Sequence, residues 1–339
     1  MKILVTGGCG FIGTNFVRYW LEKYPKDKVL NLDKLTYAGH LSSTKDFAKN
    51  PNYKFIKGSI CDLKVVKKVM IGINIVVHFA AESHVDRSIV GPQIFLQTNV
   101  LGTQVLLDTA LKEKVKLFHH VSTDEVFGSL PLQPKSLKFN ESTSYNPHSP
   151  YSASKAAGDF LVRAYHTTYG LPITVTNTSN NYGPYQDPEK LIPRFIISLL
   201  NKQQVPLMGK GENIREWLHV GDHAEAIDFV LQKGEVGETY LIQGEEKTNM
   251  EITQTLLSIM GLDESMIEFV EHRLGHDFRY AINGEKLKSL GWERKHSVDS
   301  DLQRIVGWYK ENEWWWKPLK EGRPIVDRMA QKSYGSKIH

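Results

Sequence analysis

The chain has 339 residues, enough for one large α/β domain or two modest ones, and its 41% hydrophobic and 24% charged residues exclude a disordered or low-complexity protein. A net charge of +4 with no Lys/Arg block argues against nucleic-acid binding, and no apolar run approaches the roughly 20 residues of a membrane span. Two cysteines, Cys9 and Cys61, exclude a disulfide framework; no Cys/His cluster has zinc spacing, so no metal is expected, and reduced thiols with no signal-peptide pattern predict a cytoplasmic protein.

The first half alternates strand-like and helix-like segments. Residues 2–6 (KILVT) form a short apolar run ending in glycine, and 14–24 carries Phe16, Tyr19, Trp20 and Lys23 at helical spacing with Pro25 just beyond. Further strands are predicted at 28–33, 53–58, 73–80, 116–123 and 172–179, with helices at 63–70, 99–113 and 149–169. Continuous apolar strands alternating with helices imply a doubly wound parallel sheet covered on both faces. After about Asn180 the elements shorten and Gly/Pro/Asn-rich loops appear, predicting a smaller, partly interleaved C-terminal α/β region at 180–320. The aromatic cluster Trp308, Tyr309, Trp314, Trp315 and Trp316 reads as a terminal helix packed on the body, and 321–339 as a loosely held tail.

Gly7, Gly10 and Gly13 stand between the first strand and the first helix. Positions without side chains let the backbone turn tightly and approach a pyrophosphate, while the helix N-terminus supplies N–H donors and a positive dipole end. The second strand ends in Asp33, 20 residues past Gly13, where a carboxylate accepts from adenosine ribose hydroxyls and repels a 2′-phosphate. The pattern predicts a Rossmann-type domain over 1–179 that binds NAD rather than NADP.

Tyr151 and Lys155 form a Tyr-x-x-x-Lys pair, which i, i+4 spacing puts on one helix face. A free phenol titrates near 10, too high for a base at neutral pH, and a neighbouring ammonium favours the phenolate. The pair suits proton removal from a hydroxyl while hydride leaves the same carbon, with Thr123 placed to bond that hydroxyl. Asp124 and Glu125 add two carboxyls at a strand's C-terminal end, where such sheets bind ligands. A plain alcohol dehydrogenase needs no such pair, and two carboxyls in different surroundings can divide acid and base roles.

These motifs resemble the extended short-chain dehydrogenase/reductase superfamily. The strings LDKLTYAG (32–39), AAESHVDRS (80–88), STDEVFGS (122–129), SPYSASKA (149–156), SNNYGPYQDPEKLIP (179–193), REWLHVGDHA (215–224) and GHDFRYAIN (275–283) resemble the dTDP-glucose 4,6-dehydratase family over about residues 1–320. The resemblance implies NAD contacts at Phe11, Ile12, Asp33, Lys34, Leu35, Thr36, Ile60, Ala80, Ala81, Ser83, Thr98, Tyr151, Lys155 and Asn181. It implies sugar-nucleotide contacts at Ser83, Thr123, Asn180, Lys190, Leu191, Pro206, Arg215, Asn249, Arg273 and His276, with Arg215 and Arg273 as natural diphosphate partners. It further implies a homodimer formed through helices that include the Tyr151 helix. Three positions depart from the family pattern: Ser59 replaces an Asp beside the adenine, Cys9 replaces an Ala, and Met208 replaces a Tyr beside the nucleotide base. Met packs but donates no hydrogen bond.

The implied cycle oxidises the glucose 4-hydroxyl with Tyr151 as base, removes the C5 hydrogen with Glu125, and expels the C6 hydroxyl with Asp124 as acid. Hydride return to C6 then regenerates the cofactor and leaves a 4-keto-6-deoxy sugar nucleotide. The alternatives are a dehydratase for UDP-glucose, a sugar-nucleotide 4-epimerase, which needs no paired carboxyls, and an NAD-dependent sensor, which needs neither Tyr151 nor Lys155.

Overall fold

The computed structural model describes residues 1–272 and 277–321. Seven parallel strands form the main sheet: β1 (Lys2–Thr6), β2 (Lys28–Asp33), β3 (Tyr53–Lys57), β4 (Ile75–His78), β5 (Leu117–Thr123), β6 (Ile173–Thr178) and an edge strand from the second half. A three-stranded sheet brings together β7 (Asn180–Tyr182), β9 (Ile214–His219) and β11 (Glu245–Thr248), while β8 (Val205–Met208) pairs with β12 (Ile267–Val270). The returning strand is β10 (Thr239–Ile242), which gives the main sheet the order β10-β6-β5-β4-β1-β2-β3.

Both faces of that sheet are covered, which explains the unbroken apolar runs. Along β1, Ile3 and Val5 point to one face, where the Phe11–Lys23 helix (Phe16, Val17, Trp20) packs beside the Val220–Lys233 helix (Ile227, Val230). Leu4 points to the other, against Val66, Leu106 and Val162 from three further helices. The order of strands reverses between β1 and β4. There the outgoing loops diverge and leave a crevice at the C-terminal strand ends.

The helix 149–169 forms as Pro150–Tyr169. Ser149 caps its first turn in a reciprocal box with Ser152, Pro150 occupies the start, and Gly170 ends it in the left-handed region at φ 70°. The helix expected over 99–113 differs. It runs α-helical only over Thr103–Lys112, and a π-helical stretch precedes it at Leu96–Gly102. The wider turn holds Asn99 buried, where its side chain bonds both the N–H and C=O of Glu82 and the Ser154 hydroxyl. The aromatic end forms two helices, Val298–Glu311 and Glu313–Lys320, rather than one. Tyr309, Trp315 and Trp316 are buried, as packing on the body requires, whereas Trp314 is exposed. Of the tail expected at 321–339, all but Glu321 lies outside the described residues.

Candidate active site

The turn after β1 is shaped by what a side chain would strike. Gly7 has φ 74°, and a Cβ on it would lie 2.7 Å from the Ala80 nitrogen. A Cβ on Gly13 would sit 2.3 Å from the Gly7 carbonyl oxygen. Gly10 opens the Phe11–Lys23 helix in extended conformation with no side-chain cap, so the first N–H groups are left for a ligand. At the end of β2, Asp33 is buried and accepts from the backbone N–H of Cys9 (2.9 Å) and Leu35 (2.8 Å). Burial pushes its carboxyl up in pKa and the two N–H bonds pull it down. The bare helix end and the fixed carboxylate fit the pyrophosphate and ribose of a dinucleotide.

A cleft runs from this cradle across the strand ends. Gly7, Gly10, Phe11, Ile12, Gly13, Asp33, Lys34, Thr36, Ile60, Ala80, Ala81, Ser83, Thr98, Tyr151, Lys155 and Asn181 line it. Leu35 does not. Its backbone turns left-handed at φ 59° and its N–H supports Asp33 instead. Thr123 and Glu125 close the inner end. A second lobe continues beyond Glu125, Asn180 and Lys190 and is lined by Ser83, Leu191, Pro206, Met208, Arg215 and Asn249. Pro206 and Met208 are two apart on β8 and so face the lobe together. Arg273 and His276 fall outside the described residues.

Where the lobes meet, β5 delivers Thr123 and the turn after it delivers Glu125, while Asp124, between them in the chain, lines neither lobe. Asp124 is fully buried, and its Oδ1 accepts from the Thr123 hydroxyl at 3.2 Å. Burial, reinforced by the Glu125 carboxylate, pushes its carboxyl up to about 8, while the Thr123 bond and the Arg215 charge oppose the rise. Glu125 is half-buried and lines both lobes. The two neighbouring carboxyls thus occupy different surroundings.

Tyr151 and Lys155 reach the same point from the Pro150–Tyr169 helix. The Lys155 ammonium donates to the Val121 carbonyl at 2.9 Å and lies 3.5 Å from His120 Nε2. It therefore does not set the state of the phenol alone. Burial and the Glu125 charge hold Tyr151 well above its ordinary pKa, and the nearby Thr123 hydroxyl opposes that rise. Burial lowers the Lys155 pKa and the Asp159 carboxylate raises it. Asp159 is itself buried among Ser122, Tyr145, Asn177 and His120. Arg215 donates to the carbonyls of Ile214 (2.8 Å) and Asp277 (2.8 Å) and lies over the Tyr280 ring at 4.5 Å, so its guanidinium is held at the wall of the second lobe.

Tyr37, Glu82, Gln186, Asp187, Arg194 and Tyr280 also line the cleft without having been singled out. Gln186 is braced from behind, since its carbonyl accepts from the Tyr309 hydroxyl at 2.7 Å.

A doubly wound sheet with a Tyr-x-x-x-Lys helix beside a glycine cradle defines the extended short-chain dehydrogenase/reductase class. Within that class the chain matches the family model described as GDP-mannose 4,6 dehydratase over residues 4–305, and it belongs to that family. A dTDP-glucose 4,6-dehydratase of Mycobacterium tuberculosis (strain ATCC 25618 / H37Rv) is 46% identical over 324 residues, which cover 95% of this chain and 97% of that protein. The crystal structure of a dTDP-glucose 4,6-dehydratase from Streptomyces venezuelae, with NAD and a second ligand bound, matches with a TM-score of 0.91 at 48% identity, covering 94% of this chain and 100% of that one. A UDP-glucose 4-epimerase from Thermotoga maritima matches with a TM-score of 0.85 at 29% identity, covering 92% and 100%.

Proposed function

We infer that the chain is a dTDP-glucose 4,6-dehydratase, an NAD-dependent hydro-lyase that forms dTDP-4-keto-6-deoxyglucose and water. The observation that carries this reading is the Asp124–Glu125 pair beside Tyr151, with Asp124 buried and Glu125 facing both lobes. NAD, which the Gly7–Gly13 turn and Asp33 would hold, would supply a reversible store for the hydride that moves from C4 to C6 and a positive charge favouring the Tyr151 phenolate. Tyr151 takes the proton of the 4-hydroxyl. The resulting ketone acidifies the hydrogen on C5, and Glu125 removes it. Asp124, held in its acid form by burial, donates to the departing C6 hydroxyl, and water leaves. Glu125, half-buried in the cleft and so able to exchange the abstracted proton with solvent, then protonates C5.

Residues 1–179 carry the cofactor side of this site and 180–320 mainly the sugar-nucleotide side. Lys190 and Arg215 face the diphosphate, and Pro206 and Met208 face the base. A homodimer is supported by exposed apolar side chains on neighbouring helices, Val90, Ile94, Leu96 and Leu101 together with Phe160 and Tyr169 on the Pro150–Tyr169 helix. The test is a panel of dTDP- and UDP-sugars offered to the NAD-loaded protein. A 4-keto-6-deoxy product from dTDP-glucose supports the reading, preference for UDP-glucose overturns the base assignment, and a 4-epimer as product overturns the chemistry.

A further inference from the structure

The protons of this reaction do not return to their starting places through the residues assigned so far. Over one turnover Tyr151 gains the proton of the 4-hydroxyl, and Asp124 loses the proton that leaves in water. Glu125 takes one proton from C5 and gives one back. The product keeps its ketone, so nothing returns a proton to O4. Each cycle therefore ends with Tyr151 as a neutral phenol and Asp124 as a carboxylate. One proton must pass from the first to the second before the next substrate reacts.

Both ends of that transfer are shut away from water: Tyr151 is 8% exposed and Asp124 0%. One hydroxyl lies between them. Thr123 Oγ1 donates to Asp124 Oδ1 at 3.2 Å and accepts from the Glu125 N–H at 3.3 Å, and Thr123 lines the inner end of the cleft together with Tyr151. The residue is held by its backbone as well, since its carbonyl accepts from Asn177 Nδ2 at 3.0 Å. Asp124 Oδ2 has no hydrogen-bond partner among the described residues, so Oδ1 is the oxygen through which this carboxyl is reached.

We propose that the Thr123 hydroxyl returns the proton from Tyr151 to Asp124 Oδ1 after each turnover. As the Thr123 O–H bond breaks and its proton joins Oδ1, the phenol proton joins Oγ1, so the hydroxyl is regenerated and the phenolate and the carboxylic acid are restored. Rotation about Cβ–Oγ1 resets the bridge. This transfer exchanges no proton with solvent. Burial and the Glu125 charge raise the proton affinity of both groups, so neither releases its proton readily to water and the shared proton stays between them. This role rests on the dehydratase activity inferred above.

The experiment is rapid-quench measurement of product formed by NAD-loaded enzyme from saturating dTDP-glucose. Wild type and Thr123→Ser, which keeps the hydroxyl, give product linearly from the first turnover. Thr123→Val, similar in shape but with no hydroxyl, also loses the bond to the 4-hydroxyl, so its first turnover is slower than wild type; it still gives about one product per site, and later turnovers run at least about tenfold slower than that first one, because the proton must now travel through solvent. Small weak acids such as imidazolium speed that slow phase. Thr123→Ala gives the same two phases if the branched replacement disturbs the strand end. Variants whose first and later turnovers slow alike, a slow phase indifferent to buffer, or two phases in Thr123→Ser would each overturn the bridge. If wild type forms no 4-keto product, the activity itself is overturned, which separates the two failures.

Discussion

Asp124 should work as an acid only while it stays protonated, and its surroundings set where that ends. An ordinary aspartic acid would be about one part in a thousand protonated at pH 7. With its pKa pushed up to about 8 by burial and by Glu125, it is about nine parts in ten protonated at pH 7 and one in ten at pH 9. The raised carboxyl keeps its proton below about pH 8 and loses it as pH rises through that value. Elimination should therefore slow about tenfold per unit above pH 8. Rapid mixing isolates the step, because absorbance of the reduced cofactor rises as C4 is oxidised and decays only after water has left. The decay rate should carry the falling limb, and in Asp124→Asn the limb should vanish while the rate drops about 10²–10⁴-fold. Glu216, also buried and also pushed up to about 8, is the control: its Oε1 sits 3.5 Å from Lys138 Nζ, and no catalytic step is assigned to it. Glu216→Gln should keep the limb. A decay rate flat between pH 7 and 9.5, or a limb that survives in Asp124→Asn, would refute the acid role.

Tyr151→Phe keeps the ring but removes the base, so formation of reduced cofactor should fall about 10²–10⁴-fold in stopped flow. Glu125→Gln should still oxidise C4, accumulate reduced cofactor and lose C5 hydrogen exchange with deuterated solvent; a block as early as that of Tyr151→Phe would reassign the carboxyl to binding. Because both Asp33 oxygens are fixed by backbone N–H groups, NADP should bind at least about a hundredfold more weakly than NAD, and equal affinities by calorimetry would contradict the ribose assignment. Trp315→Ala removes a side chain 1% exposed whose Nε1 bonds Ser43 Oγ at 3.0 Å, and should destabilise the protein by about 3–5 kcal/mol in denaturant titration. A loss below about 1 kcal/mol would show the terminal helix to be dispensable.

The sheet was legible because its strands are buried on both faces, which writes them as unbroken apolar runs: the bounds of β1 and β2 coincide with those expected. The glycine cradle, Asp33 and the Tyr151/Lys155 pair were legible because backbone approach and i, i+4 spacing are local properties. Asn99 was not, since the wide turn that buries it is a response to Glu82 and Ser154, which are distant in sequence. Gln186, Arg194 and Tyr280 reach the cleft from loops and helices of the second half, and no periodicity marks them. The phenol was misjudged for a related reason. Spacing brings Lys155 near Tyr151, but burial and the Glu125 charge, which only the fold creates, outweigh it.

The account turns on a hydrogen that leaves C4 and reappears on C6 of the same sugar. dTDP-glucose carrying deuterium at C4, turned over by the NAD-loaded protein and read by NMR, tests that directly. The account predicts a 4-keto-6-deoxy product with the deuterium in its C6 methyl group and one solvent hydrogen at C5. Deuterium retained at C4 in a sugar of inverted configuration, or lost to solvent, would contradict it.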